Sequence, residues 1–160
     1  FRHFATLPET VGLPFEAALA IDAADARDRV LLESGGWQLR DPAEVATTAA
    51  FARYVSTSGA EFSPAQDVYV SSSSGWFSDR TVRYLASGRP AVVQDTGLDQ
   101  ALPLGDGLLT FRTVSEAADC TRDVVARYET HRRAARAIAE EFFSPAAALA
   151  PLLDATGVTP

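Results

Sequence analysis

The chain lacks most of what would assign it quickly. It has one cysteine, Cys120, so no disulfide and no cysteine-based metal site can form within it. A lone cysteine in a helical stretch reads as a small buried residue. Its two histidines, His3 and His131, lie far apart in sequence, and no Ser-His-Asp pattern or metal-ligand spacing accompanies them. His131 reads as structural. No GxGxxG or Walker loop occurs. No apolar run approaches the ~18–20 residues that cross a bilayer, and no signal peptide is visible, which places the chain by default in the cytoplasm. Fourteen Lys+Arg against 21 Asp+Glu give a net charge of −7, with no basic run. That balance argues against a nucleic-acid surface and against a polybasic membrane anchor. Methionine is absent and the first residue is Phe1, so the sequence is expected to begin inside a longer polypeptide.

What is present is an ordinary globular composition, 47% apolar and 22% charged, over 160 residues. That suits one domain with a proper core. The N-terminal residues to Gly12 read as irregular, with Pro8 and Gly12 as breakers. Residues 13–21 read as a strand. Asp22 can cap a helix over 23–34, ended by Gly35, and residues 37–39 read as a short extended piece. Asp41-Pro42-Ala43-Glu44 marks a helix start, with Val45, Ala49 and Ala52 as the apolar face of a helix to about Val55. Ser63 to Gln66 reads as a helical turn running into a strand at residues 67–70.

The unit that organises the rest spans residues 67–97: strand, Ser/Gly loop (71–75), helix, and a buried strand (91–94) running into Asp95-Thr96-Gly97. The helix opens at Phe77 or Ser78, turns Thr81, Val82 and Leu85 inward, and is stopped by Gly88 and Pro90. Residues 108–111 give another short strand after a loop at 97–107. Thr113-Val114-Ser115-Glu116 is a capping box opening a helix with Ala117, Ala118, Thr121, Val124, Val125 and Tyr128 inward. Helices follow at 131–142, with Ala134, Ala135, Ile138, Ala139 and Phe142 inward, and from 145 to about 155, the last ended by Gly157. Strands alternating with helices give an α/β fold with a mainly parallel sheet. Ligands of such sheets bind beyond the carboxyl ends of the strands, which here means residues 71–75 and 95–97.

Several residues there suit an anionic or nucleotide ligand. Ser71 to Ser74 and Gly75 offer hydroxyls and backbone N–H groups beside a helix N-terminus, though such loops are often only turns. Trp76 and Phe77 can wall a base or sugar ring, with one of the two expected in the core. Arg80 can pair bidentately with phosphate, and Arg83 follows one helical turn later. Asp79 suits the start of the helix. Asp95 can accept from sugar hydroxyls or close an Asx-type turn.

Glu61-Phe62-Ser63, Tyr69-Val70, Ser74-Gly75-Trp76-Phe77-Ser78-Asp79-Arg80, Tyr84 to Pro90 and Gln94-Asp95-Thr96-Gly97 together resemble the C-terminal domain of bacterial GT-B glycosyltransferases. The likeness spans nearly the whole chain and is strongest over 58–143. It implies a Rossmann-like three-layer domain, one half of a two-domain enzyme, that holds a nucleotide-sugar donor without a metal or other cofactor. The acceptor, and often the catalytic base, would come from a separate N-terminal domain, so no catalytic residue is assigned. The donor-facing set it implies is Ser74, Gly75, Trp76, Phe77, Ser78, Asp79, Arg80, Arg83, Asp95, Thr96 and Gly97. One departure stands out. Many retaining members carry two glutamates with seven residues between them, and Gly75 and Arg83 occupy those places. Either the donor ribose is held differently, or the chain is a non-catalytic α/β nucleotide-binding or protein-interaction module of degenerate origin.

Overall fold

A computed structural model describes residues 1–157. The apolar residues of the three central strands alternate, and that alternation builds the layers. β3 (Glu61–Ser63), β4 (Ala91–Gln94) and β5 (Leu108–Phe111) form a parallel sheet in the order β3-β4-β5, with Val92 opposite Phe62 on one side and Leu109 on the other. Val92, Leu109 and Phe111 project to one face of it. There they meet Leu7 from α1 (Leu7–Val11) and Ala117, Ala118 and Val124 from α6 (Val114–Ala126). Ala91, Val93 and Leu108 project to the other face. They pack on Leu85 from α5 (Asp79–Ala86) and on Ala135, Ile138 and Ala139 from α7 (Tyr128–Phe142). Successive residues of a strand face opposite ways, so a strand buried on both sides must be apolar throughout. The result is a Rossmann-like three-layer α/β arrangement, as the alternation of elements led us to expect.

A second, two-stranded parallel sheet pairs β1 (Phe15–Ala18) with β2 (Trp37–Arg40) across α2 (Ala26–Ser34). Aromatic rings join the two sheets. Phe62 stacks on Phe111 at 5.0 Å between centroids and meets Phe15 edge-on at 5.8 Å. Trp37 is buried, and its indole N–H donates to the carbonyl of Ala5 at 3.0 Å.

Several expectations are corrected. The first twelve residues are not irregular: a 3-10 turn at Arg2–Phe4 leads into α1, and Pro8 sits in its first turn, where a missing N–H costs nothing. The helix expected from 42 to 55 is two pieces. A 3-10 turn at Pro42–Val45 is capped by Asp41, and α3 (Thr48–Thr57) is capped separately by Thr47. Ala49 and Ala52 are exposed, and Val55 is the residue α3 buries. Val125 of α6 is also exposed, and Tyr128 begins α7 rather than ending α6. Cys120 is half-buried rather than fully buried, and burial with nearby carboxylates pushes its thiol up.

The strand expected at 13–21 is only the four residues of β1, and the helix expected at 23–34 opens as a 3-10 turn (Ala23–Asp25) capped by Asp22 before α2 begins. Nearer the C-terminus the local signals hold. Thr113 and Glu116 form the capping box, Ser144 caps α8 (Pro145–Thr156), and Gly157 ends it with φ +71°. His131 is structural: it is fully buried, and its Nδ1 accepts from the Gly107 N–H at 3.0 Å. Among the described residues no helix is long and apolar enough to cross a membrane, and no group of three or more His, Cys, Asp or Glu is placed to hold a metal.

Candidate functional site

Parallel strands put all their carboxyl ends on one edge, here Ser63, Gln94 and Phe111. The segment from Ser73 to Arg80 and the segment from Asp95 to Gly97 meet on that edge. Gly75 N–H donates to the Thr96 carbonyl at 2.7 Å, and Thr96 Oγ1 donates to the Trp76 carbonyl at 2.7 Å. Thr96 is buried, so this pair of bonds is shielded from water. Gly97, at φ +87°, lies against Ser73, whose carbonyl would stand 3.1 Å from an added Cβ. Two stretches twenty residues apart in sequence are thereby clasped together.

The chain reaches this edge by a different route from the one expected. Residues 67–70 are not a strand. They belong to α4 (Asp67–Ser71), and the strand lies earlier, at Glu61–Ser63. Val68, Tyr69 and Val70 carry strand-type side chains, but the sheet position beside β4 is already taken by β3. Tertiary context overrides propensity here. The serine loop therefore follows a helix, and its hydroxyls face that helix. Ser72 Oγ donates to the Val68 carbonyl at 2.6 Å, and Ser74 Oγ reaches the Tyr69 carbonyl at 3.4 Å. Ser73 holds a positive φ of +47° in the tight turn that follows.

Instead of one aromatic lying in the core, as expected, both are half-buried, and they differ in what they touch. Phe77 stacks on Phe143 at 5.3 Å, against the α5–α7 side of the core. Trp76 stacks instead on Tyr69 at 5.0 Å with rings 4° from parallel, and both are partly exposed, so the pair presents a flat apolar platform beside the loop. Ser78 caps α5, its Oγ accepting from Arg80 N–H at 3.2 Å.

The charged residues are more constrained than their sequence positions suggest. Arg80 turns toward the sheet, its Nε donating to Glu61 Oε1 at 2.7 Å and its Nη2 to Ser63 Oγ at 2.9 Å. The Glu61 side chain is only 3% exposed. Asp79 pairs with Arg83 at 3.1 Å along α5, and the Arg83 guanidinium lies 5.4 Å from the Phe51 ring centroid. Arg83 is thus held on the α3 side of the helix. Asp95 Oδ1 accepts from Gly97 N–H at 2.9 Å, an Asx-type turn, while Oδ2 accepts from Arg112 Nη2 at 2.7 Å.

Sequence reasoning missed Arg112 as part of this edge, and missed Glu61 at the start of β3 as the partner of Arg80. Arg112 directly follows β5, so the strand-end rule that singled out residues 95–97 applied equally to it. Nothing in the sequence pattern marks Glu61 as a buried carboxylate beside Arg80.

The Asp95 carboxyl is held below the usual range, first by the Gly97 N–H and then by Arg112. A depressed folded-state value means stability that is present above the ordinary carboxylate range and is lost as pH falls through the lower folded value. Asp95→Asn is therefore expected to lower the melting temperature near neutral pH. The difference from the parent should shrink as pH falls below about 4. Thermal melts across that range test it; a difference that stays constant with pH would show that the charge contributes nothing.

Beneath the clasp lies a void of about 10 Å³, lined by residues that include Ser63, Trp76, Ser78, Thr81 and Gln94. That is the size of one water, not of a nucleotide. Thr81 Oγ1, on a residue lining the void, is buried and has no hydrogen-bond partner among the described protein atoms; the same holds for Glu61 Oε2, at the start of β3. The carboxyl edge is one open wall, carrying an aromatic platform, a helix start and two arginines. The chain matches no protein-family model, no curated protein and no solved structure.

Proposed function

We propose that this chain binds a nucleotide sugar on the carboxyl edge of its three-stranded sheet, as the donor-binding half of a GT-B-type glycosyltransferase. The observation that carries this reading is the Gly75–Thr96–Trp76 clasp. It brings together the two segments that the sequence pattern assigns to the donor, at the place where parallel α/β sheets take their ligands. The Trp76–Tyr69 platform suits stacking of a base or sugar ring. The side chains of Arg80 and Arg112 are 47% and 77% exposed and can face a diphosphate, but each also donates to a carboxylate of the chain. The void at this edge has room for about one water, so a donor would lie on the open wall, which suits a site that a second domain completes; the acceptor and catalytic base would belong to that domain.

A second reading is a non-catalytic nucleotide-binding module. The pairing of Arg83 with Asp79 favours it, because the helical position that usually offers a carboxylate to ribose here presents a cation already engaged within the chain.

Calorimetric titration with UDP-, GDP- and dTDP-sugars tests the proposal, on this chain and on the full-length protein. At least one donor is expected to bind, and Trp76→Ala is expected to weaken it by about tenfold, the loss of a stacked ring. Absence of binding in both proteins, or undiminished binding by Trp76→Ala, would sink the site as drawn. Binding without sugar transfer by the full-length protein would favour the second reading.

A further inference from the structure

A second concavity lies away from the carboxyl edge. It is a groove of about 460 Å³ where the end of α5 meets α7, lined by Ala86, Ser87, Gly88, Arg132, Arg133, Arg136, Ala137 and Glu140. α5 runs from the carboxyl edge back to the start of β4, so the groove opens at the opposite edge of the sheet. Its floor is made of small residues. Gly88 turns away from α5 with φ +63°, and an added Cβ there would touch Arg132 at 3.5 Å.

Its walls are cationic, three arginines against one glutamate, on a chain whose net charge is −7. Cations near a helix C-terminus are ordinary, since they offset its exposed carbonyls. Arg136 does that here, donating from Nη1 to the Ala86 carbonyl at 2.5 Å and from Nε to Glu140 at 2.7 Å. Arg132 and Arg133 are not accounted for in this way. The nearest carboxylate to Arg132 is Glu129, 3.6 Å away on the same helix, and Arg133 has no ion pair or side-chain hydrogen bond among the described residues. Two guanidinium groups therefore stand at the rim of a small-residue trough with their donors largely uncommitted.

We infer that this groove docks an acidic peptide segment of a protein partner. A compact phosphate fits less well. The floor is the carbonyl end of α5, which disfavours an anion seated deep in the trough, and no cluster of backbone N–H groups faces it. Carboxylates on an extended segment would instead meet the guanidinium groups at the rim, while its backbone lies over Ala86, Gly88 and Ala137. Complementary charge of this kind chiefly sets encounter and register, so the interaction is salt-sensitive.

Fluorescence anisotropy with a labelled octaglutamate peptide tests the inference. Binding is expected at low salt, and should weaken on raising salt from about 50 to about 300 mM as screening shortens the reach of the charges. The double substitution Arg132→Glu/Arg133→Glu is expected to weaken it by about tenfold or more. Both side chains lie on the surface of α7, and circular dichroism should report an unchanged fold. Arg53→Glu, a charge reversal on the exposed side of α3, should leave binding unchanged, and a length-matched glutamine peptide should not bind. The inference is overturned if octaglutamate does not bind at low salt. It is equally overturned if both charge reversals weaken binding alike, or if inorganic pyrophosphate displaces the peptide at equal concentration. None of these outcomes depends on nucleotide-sugar binding at the other edge.

Discussion

Gly107→Ala is expected to cost more than about 3 kcal/mol, enough to consume a large part of the ~5–15 kcal/mol that holds a domain together. Gly107 precedes β5 with φ +84°, and a side chain in that region costs about 1–2 kcal/mol by itself. Space makes it worse. An added Cβ would stand 2.4 Å from Ala135 N, 2.8 Å from Ala134 C and 2.9 Å from Ala135 Cα. These are backbone atoms in the middle of a helix and cannot rotate aside, so α7 would have to lift off the sheet. Lifting it loosens Ala135, Ile138 and Ala139, which fill the core under that helix. Overpacking of this kind typically adds 1–3 kcal/mol. The same movement strains the bond from Gly107 N–H to the fully buried His131 ring. Gly105→Ala is the control. Its φ is also positive, at +118°, but nothing lies within 4 Å of the added Cβ, so only the backbone cost should appear. Urea unfolding of the two variants decides the matter. Equal destabilisation would mean that the approach of α7 to Gly107 is not what fixes this glycine.

That close approach shows what was legible in the sequence. Gly107 reads there simply as part of a loop. Its role comes from α7, which begins some twenty residues later. Features governed by neighbours along the chain were readable. The Thr113–Glu116 capping box, the caps at Ser78 and Ser144, the stops at Gly88 and Gly157, and the apolar strands at 91–94 and 108–111 all follow from local chemistry. Features decided by competition between distant segments were not. Residues 67–70 have strand composition, yet Glu61–Ser63 pairs with β4 and leaves them to form α4. The rule placing ligands at strand ends reached residues 71–75 through a strand at 67–70 that does not form, yet α4 delivers that segment to the same edge, in contact with residues 95–97 through Thr96. It could not say which polar side chains are free. Asp95 is spent on Gly97 and Arg112, Arg83 on Asp79, and Arg80 on Glu61 and Ser63. Each of those partnerships has a bearing on how a donor would be held, and all but the two local ones, the Asp79–Arg83 pair at helical spacing and the Asp95–Gly97 turn, depend on the fold.

Arg80 is the residue for which this distinction has the largest consequence. Were it only a cation awaiting a diphosphate, Arg80→Ala would leave the fold intact. The structure leads to a different expectation, a loss of about 2–4 kcal/mol. Glu61 is buried, Oε1 receives Arg80 Nε at 2.7 Å, and Oε2 has no partner among the described residues. Removing the guanidinium would strand a carboxylate in the first residue of β3 and also take a donor from the buried Ser63 hydroxyl. Breaking a buried pair costs about 3–5 kcal/mol. Arg80 is 47% exposed, so water can reach part of the gap and the lower figure applies. The double substitution Arg80→Ala/Glu61→Gln removes the stranded charge together with its partner and should recover much of the loss. A double-mutant cycle measured by urea unfolding gives the coupling directly. Additive losses would mean that the pair does not tie β3 to α5. The cycle also separates structure from binding. If the single variant loses nucleotide-sugar affinity and the refolded double variant regains it, Arg80 is a positioning residue that holds the helix start beside the Trp76 loop. If the double variant is stable but still does not bind, the guanidinium itself touches the donor, through Nη1, which takes no part in the bonds to Glu61 and Ser63.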